Sequence, residues 1–487
     1  MRFEIVLRYL GFVLIINAAF MLLAVLVSGI YGDSSLRALL YSALITMLFG
    51  VFPLVFVPAA RKISNSEGLV IVVGGWLLSC LFATMPYVLW GGEFGFTNAW
   101  FESVSGFTTT GSTILTDIEV VPAGLLFWRA ATHWLGGVGI VLFVLSVLPA
   151  MGSVGTILYR TEVSGLAQDS FRQNARVALR IMMTVYVGLT LVEVIALMLA
   201  GMNLFDAVTH SFATIATGGF SPKNASIAYY NSIGIEVILI IFMVLSGVHF
   251  GVLYSLFVER SGAIWRSSAV RYYISALLLV ILIITIANYG GPYTSWWRSL
   301  RFSAFQAVSI GTSTGFANAN SSVWPALSQL LLMFLALQCA CAGSTSGGIK
   351  VDRFVMAGKA IKKQLKLLRY PHAVIRAWMD GKSVADEVLS AGVLYIILYL
   401  GIVAAGGLAL AILGVDTLEA FSGVIATTGN VGPGLGAVGS VGNFAHIPAA
   451  GKWILTLTML FGRLEIYALT MIFVPSLWRI RSGLSDD

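Results

Sequence analysis

The sequence predicts an all-α polytopic membrane protein, with four tandem repeats in pseudo-fourfold arrangement around a central axis and two additional N-terminal transmembrane helices. Three observations lead to this prediction. The composition is too apolar for a soluble protein, ten segments are long enough to cross a bilayer, and one short motif recurs four times at similar spacing.

The composition argues against a soluble globular protein. Of the 487 residues, 58% are hydrophobic and 10% are charged, whereas soluble domains carry about 25% charged residues. The mean hydropathy is +0.90, so lipid is the solvent that suits this chain. The three cysteines, Cys80, Cys339 and Cys341, lie in apolar stretches without spaced His or Cys partners. This pattern argues against both a disulfide framework and a zinc site.

Ten apolar segments approach the roughly 20 residues that a helix needs to span the hydrocarbon. The first is too long for the core of a signal peptide, so it is predicted to be a membrane helix. The ten spans lie near 6–30, 37–60, 68–90, 124–150, 177–201, 233–258, 270–289, 326–348, 388–414 and 452–478. Four further apolar stretches are too short to span, and they lie near 97–109, 204–216, 300–313 and 417–427.

The distribution of lysine and arginine orients the chain. Cytoplasmic loops of membrane proteins are enriched in these residues, and most of the 29 basic residues here fall in one alternating set of loops. The longest of these loops extends from Lys350 to Lys382. This pattern predicts that both termini are cytoplasmic and that the four short stretches face outside. It also explains the net charge of +7 without a nucleic-acid partner.

The four short stretches are copies of one motif. They read FESVSGFTTTG (101–111), VTHSFATIATG (208–218), FQAVSIGTSTG (305–315) and EAFSGVIATTG (419–429). Their final glycines recur at roughly 100-residue intervals, and such a fixed period indicates an internally repeated fold. The unit is a membrane helix, a short re-entrant helix, a Thr-Gly loop and a second membrane helix. All copies therefore share one orientation and can surround a common axis.

The chemistry of the Thr-Gly loops favours a monovalent cation. Non-helical backbone at membrane depth is tolerated where it lines a water-filled cavity, and backbone carbonyls can replace the hydration shell of an alkali ion. No carboxylate lies within the four loops, which disfavours a divalent ion. A single Thr-Gly pair would indicate only helix packing. Four such pairs in matching places predict helix–pore-helix–helix repeats around a central pore.

Five motifs resemble those of a known family. They are GFTTTGST (106–113), TGGFSPKNASI (217–227), AGSTSGGIK (342–350), GNVGPGLG (429–436) and GRLEIYAL (462–469). Together they are specific, and they resemble the Trk/Ktr/HKT superfamily of potassium transporters from the third helix to the end of the chain. The two helices before the first repeat resemble the bacterial TrkH type more closely than the shorter Ktr type.

The resemblance implies one filter glycine per repeat, with lining carbonyls from the three residues before it. The glycines are Gly111, Gly218, Gly315 and Gly429, and the lining residues are Thr108, Thr109, Thr110, Ile215, Ala216, Thr217, Thr312, Ser313, Thr314, Ala426, Thr427 and Thr428. Because the copies differ, we expect a modest preference for potassium, with passage of rubidium and some sodium. The repeats are predicted at 67–150, 151–260, 261–382 and 383–487, after an N-terminal extension at 1–66.

The resemblance also implies a gate beneath the filter. The run from Ala342 to Lys350 contains Gly343, Ser344, Thr345, Ser346, Gly347 and Gly348. Such a run disfavours regular helix, because each glycine costs about 1 kcal/mol relative to alanine. The family interpretation is an intramembrane loop that obstructs the ion path. The alternative is a glycine-rich hinge or a helix end.

Three ionisable side chains inside predicted helices need an explanation, because charges at membrane depth are costly and usually functional. For Arg463, the resemblance implies a position facing the cavity beside the gating loop. The alternative, which is compatible with it, is pairing with Glu465 or with a loop carbonyl. Arg129 and His133 lie one turn apart on the fourth helix, where packing or a buried hydrogen bond is expected.

These observations predict a gated, channel-like subunit that translocates potassium across the inner (plasma) membrane of a bacterium. The alternative is a proton-coupled potassium symporter. Such transporters usually place an ionisable residue at the substrate site, and the filter stretches offer only Glu102 and His210, both upstream of the loops. An enzyme is not predicted, because the five histidines are scattered and no HExxH or GxSxG motif occurs.

The resemblance further implies a homodimer that works with a cytoplasmic nucleotide-binding regulatory ring of the TrkA type. The chain has no GxGxxG motif on a strand and no Walker A motif, so it has neither of these routes to nucleotide binding. The basic loop from Lys350 to Lys382 is a candidate docking site for that ring. Attraction to anionic lipid explains the same charge equally well. Potassium is expected as the substrate, and no organic cofactor is predicted.

Overall fold

The computed structural model describes residues 1–58, 64–146, 175–257 and 263–472, and these residues are mostly helical. The helices are α1 (Phe3–Tyr31), α2 (Leu36–Phe56), α3 (Asn65–Trp90), α4 (Phe96–Phe107), α5 (Ala123–Ser146), α6 (Ala175–Leu199), α7 (Leu204–Ile215), α8 (Ile233–Ser246), α9 (Phe250–Phe257), α10 (Ala263–Arg266), α11 (Ser268–Asn288), α12 (Trp296–Gly311), α13 (Ala326–Gln338), α14 (Val351–Arg369), α15 (Asp386–Ile412), α16 (Thr417–Thr428), α17 (Ala449–Arg463) and α18 (Ile466–Ile472). Short 3₁₀ turns lie at Ser226–Tyr229, Ser321–Val323 and Gly436–Val438.

The prediction of an all-α multi-pass membrane protein is confirmed. Within the described ranges, six helices are long and apolar enough to cross a membrane, namely α1, α2, α3, α6, α11 and α15. The helices α8 and α9 together pass the same test as one bent span. Among the basic residues of the loops predicted to be cytoplasmic, those at 61–62, 160, 172, 260, 479 and 481 lie outside the described residues, as do the predicted repeat boundaries at 150 and 260.

Three of the ten predicted spans are wrong as continuous helices. The span at 233–258 bends by 110° between α8 and α9. The span at 326–348 stops at Gln338, where α13 ends. In the span at 452–478, α17 ends at Arg463 and α18 begins at Ile466. Apolar composition cannot reveal these breaks, because the backbone groups freed at a break in a membrane helix can be satisfied by neighbouring protein.

The two N-terminal helices pack closely against each other. A Cβ added to Gly11 of α1 would lie 2.5 Å from the carbonyl oxygen of Gly50 in α2, so the two backbones touch where both residues lack a side chain. The chain end is held by an ion pair, in which Arg2 lies 2.9 Å from Glu67 at the start of α3. Glu67 also closes a capping box with Ser64, which determines where α3 begins.

The four short helices are α4, α7, α12 and α16, and polar caps help to start two of them. Asn203 accepts a hydrogen bond from the N–H of Asp206 at 2.8 Å, and Asp416 accepts one from the N–H of Leu418 at 2.9 Å. Such caps satisfy N–H groups that a helix leaves free at its first turn. A new helix can therefore start directly after the preceding membrane helix.

The basic segment contains the strands that the structure describes. Beyond α14, strands β1 (Ala377–Met379) and β2 (Lys382–Val384) pair antiparallel. The connecting turn is Asp380-Gly381, with φ of +51° and +78°, and this residue pair suits a tight hairpin. Asp380 accepts hydrogen bonds of 2.6 Å from the N–H and hydroxyl of Ser268, which join the hairpin to the start of α11.

Candidate functional site

Four loops leave the short helices in the same way. In each loop the first N–H bonds to the carbonyl four residues earlier, the second to the carbonyl three residues earlier and the third to the carbonyl five residues earlier. These three residues are 108–110 after α4, 216–218 after α7, 312–314 after α12 and 429–431 after α16. The shared hydrogen bonds define which residues of the four loops are equivalent.

The backbone angles agree with this register. The middle residue of each loop has a positive φ: 52° at Thr109, 53° at Thr217, 58° at Ser313 and 51° at Asn430. Non-glycine residues seldom adopt this region. Two positions further on, a glycine with positive φ follows in every loop: 83° at Gly111, 77° at Gly219, 86° at Gly315 and 100° at Gly432. The four loops therefore share one unusual conformation.

The four glycines with positive φ bring the loops into contact in a closed ring. A Cβ added to Gly111 would lie 2.1 Å from the carbonyl oxygen of Gly218, and one added to Gly219 would lie 2.0 Å from that of Thr314. The corresponding distances are 2.0 Å from Gly315 to Val431 and 2.7 Å from Gly432 back to Thr110. Each loop thus places its glycine against the equivalent carbonyl of the next. A side chain larger than hydrogen has no room at these positions.

The register corrects the sequence assignment in two loops. The residues equivalent to Gly111 and Gly315 are Gly219 and Gly432, whereas Gly218 lies one position and Gly429 three positions before them. The sequence pattern aligned Thr-Gly pairs, but α16 continues through Thr428, so its turn starts later. The clues to the right register were the second glycine of the pair at 218–219 and the glycine that follows Asn430 and Val431.

The predicted lining residues consequently divide into two groups. Thr108, Thr109, Thr110, Thr312, Ser313, Thr314, Ala216 and Thr217 lie in the loop positions defined above. Ile215 is the last residue of α7, and Ala426, Thr427 and Thr428 form the last turn of α16. In the fourth loop the equivalent positions belong to Gly429, Asn430 and Val431.

The four loops are not chemically identical. In the first loop the hydroxyls of Thr108 and Thr110 lie 2.7 Å apart, and in the third loop those of Thr312 and Thr314 lie 2.8 Å apart. The second and fourth loops have no hydroxyl at either equivalent position. The ring therefore alternates between two kinds of loop.

Buried polar side chains at matching positions in three short helices hold the returning loops. Glu102 accepts hydrogen bonds from the Thr113 hydroxyl at 2.9 Å and from the Ile114 N–H at 3.1 Å. His210 lies 3.1 Å from the Ser221 hydroxyl, and Gln306 in the third helix donates to the carbonyl of residue 319 at 2.9 Å. The two ionisable residues near the filter stretches thus have a structural role in positioning the loops.

Arg129 and His133 join the first repeat to the second loop. Arg129 forms an ion pair of 2.6 Å with Glu102 and donates to the carbonyl of Ser221 at 3.1 Å. Its guanidinium lies 3.4 Å from the centre of the Phe220 ring, and His133 stacks on the same ring at 4.1 Å. Both side chains are buried, and they stiffen the loop beside Gly219.

A cavity of about 70 Å³, open to solvent, lies on one side of the ring. Its lining includes the four ring glycines, Gly111, Gly219, Gly315 and Gly432, which is independent support for the corrected register. The rest of the lining comes mainly from residues that follow the first, second and fourth of these glycines, such as Ser112, Phe220 and Pro433.

The segment Cys339–Lys350, here called the intramembrane loop, contacts the other side of the ring. The Thr345 hydroxyl donates to the Ile215 carbonyl at 2.9 Å, and the Ser346 and Ser313 hydroxyls lie 2.8 Å apart. A Cβ added to Gly347 would lie 2.5 Å from the Gly429 carbonyl oxygen. The intramembrane loop therefore contacts residues where the loops leave the short helices, whereas the cavity is lined by later residues.

The intramembrane loop is non-helical, as its composition predicts, and it has a buried framework. Gly343 and Gly348 have φ of +72° and +73°. Backbone hydrogen bonds run from Cys341 N–H to the Gly247 carbonyl at 3.0 Å and from Phe250 N–H to the Gly343 carbonyl at 3.2 Å. The break between α8 and α9 thus satisfies its backbone groups on this loop, and Ser344 lies buried within it.

Arg463 connects the intramembrane loop to the first repeat. It is 2% exposed, and it donates to the Thr345 carbonyl at 2.6 Å and to the Gly136 carbonyl at 2.9 Å. The loop carbonyl proposed as its partner from the sequence is therefore one of its contacts. Glu465 forms ion pairs with Lys350 at 3.0 Å and Arg353 at 2.8 Å.

The fold and the site together define a multi-pass helical membrane protein in which the loops after four short helices close a ring, with a cavity on one side and a non-helical loop on the other. Comparison with known proteins then identifies the family. The profile of the TrkH family, described as cation transport protein, matches residues 5–288 and 297–480. The chain belongs to this family.

Several relatives share nearly the whole chain. It is 36% identical to the Trk system potassium uptake protein TrkH of Salmonella typhimurium, over 98% of this chain and 100% of the relative. It is 31% identical to the Trk system potassium uptake protein TrkG of Escherichia coli over 86% of each chain. The crystal structure of the potassium transporter TrkH from Vibrio parahaemolyticus superposes with a TM-score of 0.88, at 30% identity and over 98% of this chain and 100% of that one. These relatives are named as transporters, not as enzymes.

Proposed function

We propose that this chain is the membrane subunit of a potassium uptake system and conducts monovalent cations along the axis of the ring. The observation that carries the proposal is the closed contact of four equivalent loops through glycine and carbonyl. Backbone carbonyls directed at a shared axis can replace the hydration shell of potassium. The names of the relatives, which are potassium uptake proteins, support the choice of ion.

The filter in this proposal follows the structural register. It consists of 108–111, 216–219, 312–315 and 429–432, which adds Gly219 and the last three residues of the fourth loop to the set expected from the sequence. The hydroxyl pairs of two threonines stabilise the first and third loops, and the second and fourth loops have no such pair. The carbonyls of the ring are therefore not held equally firmly. We therefore expect modest preference for potassium over sodium, with passage of rubidium.

The gate in this proposal is the intramembrane loop with Arg463. The loop lies against three of the four ring loops, and Arg463 adds a buried positive charge beside Thr345. The charge of Arg463 would repel a cation on this path, and the backbone of the intramembrane loop would obstruct it sterically. Opening then requires displacement of Gly343–Gly348, with loss of the hydrogen bonds that hold Thr345 and Ser346.

The proposal extends to location and partners. The subunit would lie in the bacterial inner membrane with both termini in the cytoplasm, form a homodimer and respond to a cytoplasmic nucleotide-binding ring of the TrkA type. The exposed lysines of α14, including Lys362 and Lys366, follow the intramembrane loop directly. A partner that binds α14 could therefore pull on the loop.

Rubidium-tracer uptake into liposomes that hold the purified chain tests the proposal. Uptake that follows the imposed potassium gradient at every proton gradient is expected for a passive pore. Uptake that stops when the proton gradient is removed, with the membrane potential clamped, would instead identify a proton-coupled symporter. Protein without tracer uptake in either condition, but well folded, would contradict both.

A further inference from the structure

The cavity on the open side of the ring carries an unpaired positive charge. Among the described residues that line it, Arg129 and Lys223 are charged. Arg129 is buried against Glu102 at 2.6 Å. Lys223 is only partly buried, and no ion pair joins it to any residue in the described part of the chain.

Lys223 is held in place at the cavity wall. Its N–H donates to the Ser221 hydroxyl at 3.1 Å, and its ammonium lies 4.5 Å from the centre of the Tyr229 ring. The next residue, Asn224, donates to Asp117 at 2.8 Å. Hydrogen bonds therefore anchor Lys223 and Asn224. The face of the Tyr229 ring attracts the Lys223 ammonium and favours a position beside the ring.

Two acidic side chains near this wall, Asp117 and Glu119, hydrogen-bond to Asn224, which holds them in place and leaves them charged. Asp117 and Glu119 accept hydrogen bonds from the side chain and the N–H of Asn224, at 2.8 and 3.2 Å. Neither carboxylate lines the cavity. Among the described residues that line the cavity, Lys223 therefore carries the one charge without an ion-pair partner.

We propose that Lys223 is an electrostatic barrier that limits the access of cations to the ring from the cavity. This inference rests on the proposed function. A fixed charge in a concave, low-dielectric site changes the local concentration of mobile ions and hence the rate at which they arrive. A positive charge lowers the cation concentration, so its removal raises flux at low ionic strength, and salt screens the effect.

A cysteine at this position allows the charge to be varied on one backbone. The three native cysteines are all buried, so the thiol of Lys223→Cys is the accessible one. Methanethiosulfonate reagents that carry a positive, a neutral or a negative group are attached before reconstitution, and uptake of trace rubidium is measured. We expect the rate to rise from the positive to the neutral to the negative adduct, with the positive adduct close to wild type.

The size and salt dependence of the effect are also expected. At about 10 mM ionic strength, where the Debye length is about 30 Å, the neutral adduct should exceed the wild-type rate by roughly two- to fivefold. At about 1 M impermeant salt, with a Debye length of about 3 Å, the difference should vanish. Arg298→Cys is the matched control, because Arg298 is exposed at the start of the third short helix but does not line the cavity. Its adducts should all have one rate.

Each outcome decides one question. Rates that follow reagent charge and lose the dependence at high salt support the barrier. Rates that follow reagent size, or equal rates for all adducts, overturn it. If Lys223→Cys does not fold, Lys223→Gln and Lys223→Arg replace it, and equal rates for those two variants would also overturn the barrier. Wild-type protein without any rubidium uptake would refute the proposed function, which is a separate result.

Discussion

Replacing Gly432 with alanine tests which glycine of the fourth loop belongs to the ring. Gly432 has φ of +100°, and an added Cβ would lie 2.7 Å from the carbonyl oxygen of Thr110. Gly429, the residue favoured by sequence spacing, has φ of −76°. Its added Cβ would lie 2.6 Å from the carbonyl oxygen of Ala336 in α13. The two substitutions create similar overlaps, but only the first disturbs a ring carbonyl.

The magnitude follows from these contacts. A left-handed conformation costs an L-residue about 1–2 kcal/mol, and overpacking adds about 1–3 kcal/mol. For Gly432→Ala, the strain is relieved when the Thr110 carbonyl moves away, and this carbonyl is one of the four that contact a ring glycine. A loss of about 1.4 kcal/mol in ion discrimination corresponds to a tenfold change. We therefore expect the preference for rubidium over sodium to fall about tenfold in Gly432→Ala.

The assay is rubidium-tracer uptake into proteoliposomes with increasing external sodium, together with the melting temperature in detergent. Gly429→Ala should melt lower than wild type but keep the wild-type ratio of rubidium to sodium. Gly401→Ala is the control, because an added Cβ meets nothing within 4 Å. A changed ion ratio in Gly429→Ala with an unchanged ratio in Gly432→Ala would refute the structural register.

Three further predictions concern stability and gating. Glu102→Gln leaves the buried Arg129 without its counter-charge, so we expect the free energy of unfolding to fall by about 3–5 kcal/mol. Glu93 is exposed, so Glu93→Gln should change the free energy of unfolding by no more than about 0.5 kcal/mol. Melting curves of the two variants test this difference. Arg463→Gln removes the hydrogen bonds to the intramembrane loop and to α5, so rubidium flux through well-folded protein should rise, and equal or slower flux would contradict the gating role. Burial alone would raise the pKa of Asp33, in the turn between α1 and α2, but hydrogen bonds from neighbouring hydroxyl and N–H groups outweigh it and lower the pKa below the ordinary 3.8. Asp33→Asn should therefore melt lower than wild type at neutral pH, and the gap should close as the pH falls through the folded-state pKa; a constant gap would contradict this account.

Much of the fold could be predicted from the sequence. Apolar length alone located α1, α2, α3, α6, α11 and α15, because a membrane helix needs a continuous apolar run of bilayer length. The recurring motif located the four short helices, since each is too short to span. The breaks after Ser246, Gln338 and Arg463 could not be predicted from hydropathy. At the first two breaks, backbone groups bond to a distant part of the chain, as the Phe250 N–H does to the Gly343 carbonyl and the Cys341 N–H to the Gly247 carbonyl.

The candidate site was predicted in part. In the first and third loops, the threonines and the ring glycines Gly111 and Gly315 occupy the positions expected for them. In the second and fourth loops the ring glycine lies beyond the Thr-Gly pair, because the short helix ends at a different distance from that pair. The sequence also did not predict that Glu102 holds the first loop in place. Its partners Arg129 and Thr113 come close to it only through folding.

By itself the sequence determined the class of protein, the four recurring short helices and the family, because hydropathy and short motifs are properties of residues near one another in the chain. Tertiary structure alone decided the register of the ring and the position of the intramembrane loop. Both depend on contacts between repeats, such as Gly432 with Thr110 and Arg463 with Gly136. These contacts join residues hundreds of positions apart, so the local glycine patterns were compatible with more than one register until folding brought the loops together.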